Sequence, residues 1–418
     1  MIRACLPGAR IGDGVCIETR PSTTGHVCAI DAAGVLVAVH ASIGGVARGT
    51  PVRLDASLQR LALGTCAFGR ALDARGQPLD DGPPVSGCRT VIEPARLSPR
   101  DREPVRQPFW TGVRAIDGLL TFGRGARIGI FGGPGAGKST LLESIVEGCT
   151  ADAVVIGLVG ERGREAQRWI AALDHRTTVI CATSDRAAAE RARAAWVAAA
   201  AASALRRQGL HVLFVLDSLA RVATAWRELA LGAGESIGRG GFPPSVFADL
   251  ARFIEVAGPT KRGSMTLVAT VLDDGDERDP VSDAARSLLD GHVTLADRIA
   301  QRGRFPAIDV PASTSRTMPL VTGAVQNAAA QTVRSALALL ERIEDARRLG
   351  IDPTDSLARR AIAAEEHLEA FLRQDRHPSE PRSTLRALDH VAALLNVETE
   401  DTVLPDGNAP PGSTAKDA

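Results

Sequence analysis

Nine consecutive residues, Gly132, Gly133, Pro134, Gly135, Ala136, Gly137, Lys138, Ser139 and Thr140, have the types and spacing that hold a phosphate chain. The glycines let backbone N–H groups converge on a phosphate with no Cβ in the way. Lys138 is placed to reach the β- and γ-phosphates, and the Ser139 hydroxyl to bind Mg²⁺. The flanks fit. Ala126–Phe131 is an apolar run that predicts a buried parallel strand, and Leu141–Val146 has helical spacing. The helix N-terminus then adds its partial positive charge to the loop.

Three further residues have the chemistry for phosphoryl transfer. Asp217 ends the apolar run Val212–Leu216, where an acid is needed to hold the Mg²⁺ shell, through water. Many strands end in Asp as a turn starter, but few lie downstream of a phosphate loop. Glu161 follows Val154–Val159 in the segment Gly160-Glu161-Arg162-Gly163-Arg164-Glu165. Strand C-termini line the ligand crevice of an open parallel sheet, so a carboxylate there can polarise a water in line with the γ-phosphate. A solvated charge cluster opening a helix describes Arg164 and Glu165 better than Glu161. Arg316, in Ser313-Thr314-Ser315-Arg316, lies past the last core strands, where an arginine can stabilise the transferring phosphoryl group across a subunit boundary. On its own it is one arginine among many.

The elements that must position these residues alternate between strand and helix from about Ala115 to Val325. The apolar runs Val154–Val159, Val179–Cys181, Val212–Leu216 and Met265–Val271 predict strands buried on both faces, and so a parallel α/β sheet. Before them, Val27–Asp31, Val35–Val39 and Pro51–Leu54 predict short strands of a small barrel or sandwich. After them, Val333, Leu337, Leu340 and Ile343, then Leu357, Ala361, Ala364, Leu368 and Phe371, recur at helical spacing. Ser383 is the expected cap of a further helix. Pro405 to Ala418 have the composition of a disordered tail.

Composition narrows the function. Lysine plus arginine and aspartate plus glutamate are equal at 49, so no basic surplus points to nucleic acid. No apolar run reaches spanning length. The longest candidate, Ala187–Leu205, is alanine-rich and broken by charges, as suits a helix lying on a sheet. The apolar stretch after Met1 is too short for a signal peptide. The seven cysteines, Cys5, Cys16, Cys28, Cys66, Cys88, Cys149 and Cys181, are odd in number and form no CxxC pair, which suits reduced thiols of a cytoplasmic protein. With no tyrosine in the chain, any ring stacked on adenine must be Phe or Trp.

Taken in order, the motifs resemble a family. They are Leu6-Pro7-Gly8-Ala9-Arg10-Ile11-Gly12, Gly69-Arg70-Ala71-Leu72-Asp73, Thr111-Gly112-Val113-Arg114-Ala115-Ile116-Asp117 and the phosphate loop. Then come Gly160-Glu161-Arg162, Asp217-Ser218-Leu219-Ala220-Arg221, Gly240-Gly241-Phe242-Pro243-Pro244-Ser245-Val246-Phe247, Leu289-Asp290-Gly291-His292 and Ser313–Arg316. From about Ile2 to Arg373 the order is similar to that of rotary ATP synthase catalytic subunits. It is still closer to the ATPases of bacterial type III secretion and flagellar export. The resemblance implies an α/β, RecA-like P-loop NTPase core with a parallel sheet at residues 81–330. A small N-terminal β-barrel-like domain at 1–80 precedes it, and a C-terminal helical domain at 331–402 and a disordered tail at 403–418 follow. It also implies ATP and Mg²⁺ as cofactors, with Lys138, Glu161, Arg162, Asp217, Arg221 and Arg316 catalytic. Glu161 matches the catalytic carboxylate, Arg162 and Arg221 match arginines beside the γ-phosphate, and Arg316 matches a finger supplied to a neighbour. Phe305 stands where relatives usually carry a Tyr against adenine, and it keeps the stacking surface. Val222 and Ala126 stand where an aromatic and a Gln are common. Relatives usually carry a short helix and first barrel strand before the Leu-Pro-Gly block, so a shortened barrel is expected here.

The implied function is ATP hydrolysis that energises type III protein export, with chaperone release and substrate unfolding at a secretion gate. The Leu6–Gly12 block leans to the injectisome, with the flagellum as the alternative. Because Glu161 and Arg316 occur in one chain, identical subunits complete every site, and a homohexamer is the natural closed assembly. Other implied partners are secretion chaperones, exported proteins, a central stalk, and regulatory or stator proteins. The implied location is cytoplasmic, peripheral to the inner membrane at the export apparatus. A hexameric nucleic-acid translocase would need a basic, aromatic platform, and the N-terminal part offers only Phe68. A non-catalytic rotary subunit lacks the loop lysine or the catalytic glutamate, and this chain has both.

Overall fold

The structure, a computed structural model, describes residues 1–87, 89–94, 96–273, 279–350 and 355–396. The expected tail and Cys88 lie outside the described residues. Five short strands come first: β1 (Ile2–Ala4), β2 (Gly14–Ile17), β3 (Thr23–Asp31), β4 (Gly34–Val39) and β5 (Val52–Leu54). They pair antiparallel in the order β1-β4-β3-β2-β5, a half-barrel with β1 and β5 as its edges. Period-two alternation turns Val15, Ile17, Val27, Val35, Val37 and Val39 onto one buried face.

The connecting stretch contributes β6 (Arg60–Ala62), paired with β8 (Arg89–Val91), and between them β7 (Arg70–Asp73). β7 lies before the boundary expected at residue 80, yet it hydrogen-bonds into the large sheet beside the strand Thr177–Ala182. The pair β9 (Pro108–Phe109) and β10 (Phe122–Gly123) brackets α1 (Arg114–Leu119).

The large sheet contains β11 (Arg127–Gly132), β12 (Ala153–Val159), β13 (Thr177–Ala182), β14 (His211–Asp217), β16 (Ser264–Leu272), β17 (Gly291–Leu295) and β18 (Ile308–Ser315), with β15 (Gly258–Pro259) folded back on β16. Its order is β18-β17-β11-β16-β14-β12-β13-β7. All neighbours along it are parallel except β17 and β18. The chain reaches β18 through only α8 (Asp297–Gln301) and a turn, so it doubles back rather than crossing over.

Helices cover both faces, as continuous apolar strands require. One face carries α4 (Ala188–Arg207), α5 (Leu219–Gly232), α6 (Pro244–Ile254) and α7 (Pro280–Leu288). The alanine run of α4 is buried almost throughout. Small side chains let it lie close to the sheet: a Cβ at Gly157 of β12 would come within 3.0 Å of the Ala198 methyl. The other face carries α1, α2 (Lys138–Gly148) and α3 (Gly163–Ala171), and the C-terminal helices join the same core. These are α9 (Met318–Val321), α10 (Ala324–Arg348), α11 (Ser356–Ala363), α12 (Glu365–Leu372) and α13 (Pro381–Asn396). Two details differ from the sequence reading. The spacing from Leu357 to Phe371 is split by a break at Ala364. Ser383 does not cap α13, which begins two residues earlier at Pro381, a residue whose fixed φ suits a first turn. Among the described residues no helix is long and apolar enough to cross a membrane.

The Thr111–Asp117 motif has a structural purpose. Asp117 is fully buried and accepts from the Thr111 N–H (2.8 Å), the Thr111 hydroxyl (2.7 Å) and the Gly112 N–H (2.9 Å). It thereby fixes the turn that leads into α1. Asp117→Ala leaves two buried N–H groups without partners and should cost about 3 kcal/mol. The midpoint of urea unfolding, followed by tryptophan fluorescence, checks this.

Candidate functional site

The phosphate-loop residues leave the sheet at the C-terminal end of β11. Gly137 caps α2 with φ +95°, in the left-handed region that favours glycine, and nothing lies within 4 Å of a Cβ built there. Lys138, Ser139 and Thr140 therefore form the first turn of α2, where N–H groups have no intrahelical partner. The first helical bond runs from the Leu141 N–H to the Gly137 carbonyl at 3.0 Å. Lys138 Nζ folds back over the loop and donates to the carbonyls of Gly132 (2.6 Å) and Gly133 (2.7 Å).

Sheet register brings the acidic residues to the same edge. Asp217 lies level with Leu158, just before the chain leaves β12 toward Glu161. Both carboxylates are 6% exposed. Arg221, in the first turn of α5, places Nε 3.0 Å from Glu161 Oε1, and its Nη1 donates to the Gly160 carbonyl. Burial, then the charge of Asp217 and the neighbouring Glu165, push the Glu161 carboxyl up to about 8, with Arg221 opposing. Burial also raises Asp217, and the Thr270 hydroxyl, donating to Asp217 Oδ1 at 2.6 Å, pulls it down.

Thr270 is a site residue that the sequence reading passed over. Its signal is a hydroxyl near the end of an otherwise apolar buried strand, level with Ile130 of β11. A second unforeseen support lies behind the loop strand. Arg286 of α7 sits over the Phe131 ring, 4.1 Å from its centroid, and pairs with Asp273. Arg162 caps α3 and is exposed.

Phe305 reaches the same edge from the other side. It precedes β18, whose first residue, Ile308, is level with Leu295 at the C-terminal end of β17. Its ring is 56% exposed. The C-terminal helices hold its loop: the Gln374 N–H donates to the Phe305 carbonyl at 2.9 Å, and Arg304 pairs with Glu369 at 2.8 Å.

Arg316 is not brought to this edge. It follows Ser315, which lies level with Gly291 and so with Ile128 near the start of β11. Four residues separate Ile128 from Gly132, which puts Arg316 about 13 Å away along the strand direction, at the opposite end of the sheet. It is exposed there, with its N–H on the Asp290 carbonyl at 2.9 Å. One chain therefore gathers Lys138, Ser139, Glu161, Asp217, Arg221 and Phe305 at one edge and presents Arg316 at the other.

Comparison with known proteins gives the family. Residues 112–315 match the ATP synthase alpha/beta family, nucleotide-binding domain. The chain is 40% identical over 373 residues to a type 3 secretion system ATPase of Pseudomonas syringae pv. syringae, covering 84% of this chain and 82% of that protein. It is 41% identical over 342 residues to a flagellum-specific ATP synthase of Treponema pallidum, covering 79% and 76%. The structure of the assembled ATPase EscN from the type III secretion system of enteropathogenic E. coli superimposes with a TM-score of 0.88 at 37% identity, covering 94% of this chain and 97% of EscN. A phosphate loop, a buried carboxylate pair at the same sheet edge and this likeness over most of the chain lead to one assignment: the chain is an ATPase of the ATP synthase alpha/beta family and belongs to its type 3 secretion system ATPases.

Proposed function

We propose that this chain works as a ring of identical subunits, each nucleotide held by one subunit and completed by Arg316 of the next. The observation that carries this is the placement of Arg316 on the sheet edge opposite the phosphate loop. It cannot serve its own loop, but it is exposed for a neighbour. A homohexamer is the closed assembly that uses every site alike. EscN is known as an assembled ATPase and in complex with its central stalk EscO. By that likeness a central stalk in the ring, and beyond it secretion chaperones, exported proteins and regulatory or stator proteins, are the partners to seek. The place of action is the cytoplasmic side of the inner membrane, at the export apparatus.

Within each site the residues divide the work. Backbone N–H groups of Gly135–Thr140 and the Lys138 ammonium hold the phosphates, and Phe305 offers its exposed ring to the adenine. Ser139 and Asp217 suit a magnesium ion. Among the described residues no cluster of three or more His, Cys, Asp or Glu forms a closed metal cage. Mg²⁺ needs none, since it takes one or two protein oxygens beside phosphates and waters. Bound there, it would neutralise charge on the phosphate oxygens. Thr270 holds the Asp217 carboxylate in orientation. Glu161, once ionised, accepts a proton from the attacking water, and Arg221 steadies its carboxylate. Arg162 and the neighbour's finger face the charge that develops on the phosphoryl oxygens.

Glu161→Gln should keep nucleotide binding and lose turnover, read by fluorescent-nucleotide titration beside phosphate release. Unchanged turnover would remove its role. The raised Glu161 pKa sets a pH dependence. Because the carboxylate is the active form, kcat/KM should climb with pH toward about 8. The same shift lowers folding stability as pH rises from about 4.5 to 8, since the folded state holds a proton that the unfolded chain releases. A pH–rate profile with its limb near 4.5 would contradict the burial argument. Arg316→Ala alone should be inactive. Mixed rings of Arg316→Ala and Glu161→Gln subunits should regain activity, because some interfaces draw an intact residue from each chain. Verified mixed rings without recovery would exclude a shared site.

A further inference from the structure

The opposite end of the sheet carries a polar pocket. It has a volume of about 370 Å³ and lies at the N-terminal ends of β14 and β16, where Arg106, Arg124 and Arg262 line it with Asp152, His211 and Ser264. β14 runs from His211 at this pocket to Asp217 at the nucleotide edge, a separation of about 20 Å.

The charge here is unbalanced. Among the described residues, none of the three guanidinium groups makes an ion pair or a side-chain hydrogen bond. Asp152 is the one carboxylate among the lining residues, set against three guanidinium groups. Glu255 pairs with both Arg102 and Arg127, and Asp152 accepts the His211 N–H at 2.8 Å. The α4 C-terminus, whose carbonyl dipoles repel anions, ends near this face but carries Arg206 and Arg207 in its last turn. His211 adds unmet donor or acceptor capacity. It is 4% exposed, its Nε2 meets the Thr266 hydroxyl at 3.1 Å, and its Nδ1 has no hydrogen-bond partner. Buried polar groups are rarely left so. Arg106 and Arg262 are exposed, Arg124 is half-buried with an unpartnered Nε, and an anion in the concavity would give all three guanidinium groups a charged partner.

We propose that this pocket binds a phosphate group carried on a small anion, at a site separate from the nucleotide. Arginine forks match phosphate oxygens in pairs, and about 370 Å³ leaves room for a phosphate monoester or diester with part of the group that carries it. The same chemistry is offered by a soluble phosphate and by the headgroup of an anionic lipid.

The test uses the full chain with its nucleotide site saturated by ADP and Mg²⁺. Inorganic phosphate and pyrophosphate are titrated by calorimetry, and flotation is measured with phosphatidylcholine vesicles made with and without phosphatidylglycerol. Wild type is compared with Arg124→Gln, Arg262→Gln and the double variant, and ADP affinity confirms that each is folded. Each replacement should weaken binding by about tenfold or more, with ADP affinity and basal ATPase unchanged. Saturable binding of the soluble anions without flotation assigns a soluble ligand. Flotation that depends on phosphatidylglycerol and is lost in the variants assigns a lipid headgroup. Absence of binding in both arms, or binding that survives the double replacement, overturns the proposal.

Discussion

Burial of the sheet on both faces governs everything else in this chain. Strands packed between two layers of helices leave no room for charged side chains along their length and admit few polar ones, such as Thr178 and Thr266. Chemistry must leave the sheet at its ends. Register then decides which residues meet, and one edge collects the phosphate loop, Glu161, Asp217 and Thr270. The same confinement tunes the acids. Two carboxylates withdrawn from water beside each other cannot both ionise freely, so one rests protonated near neutrality, and Arg221 and Thr270 steady the pair.

Much of this was legible in the sequence because its signals are local. The phosphate loop is a contiguous string whose glycines, lysine and hydroxyl are each required by backbone geometry. The strands Val154–Val159, Val212–Leu216 and Met265–Val271 announce themselves as unbroken apolar runs, and all three are found as expected. The alanine-rich stretch lies on the sheet as its composition suggests. The family resemblance, and with it the ATPase assignment, rested on many ordered blocks and holds across most of the chain.

What escaped the sequence depends on tertiary pairing. Nothing local in Arg70–Asp73 tells that it will join β13, a partner more than a hundred residues on. The reversal at β18 follows from a short connection and not from the strand's own residues. Thr270 reads as one hydroxyl in an apolar strand until register sets it beside Asp217. Asp117 reads as part of a family motif, and only the fold shows it binding the turn before α1. The position of Arg316, level with the start of β11, likewise comes from two successive strand pairings.

That last position has an arithmetical consequence. In the proposed ring, a chain with the nucleotide edge on one side and Arg316 on the other is a two-ended unit, like a link with a hook and an eye. An open row of n such links joins n − 1 hooks to eyes and leaves one of each idle. Closing the row adds a junction without adding a link. The final step of assembly thus differs in kind from those before it, because it alone gives every subunit a complete pair of neighbours.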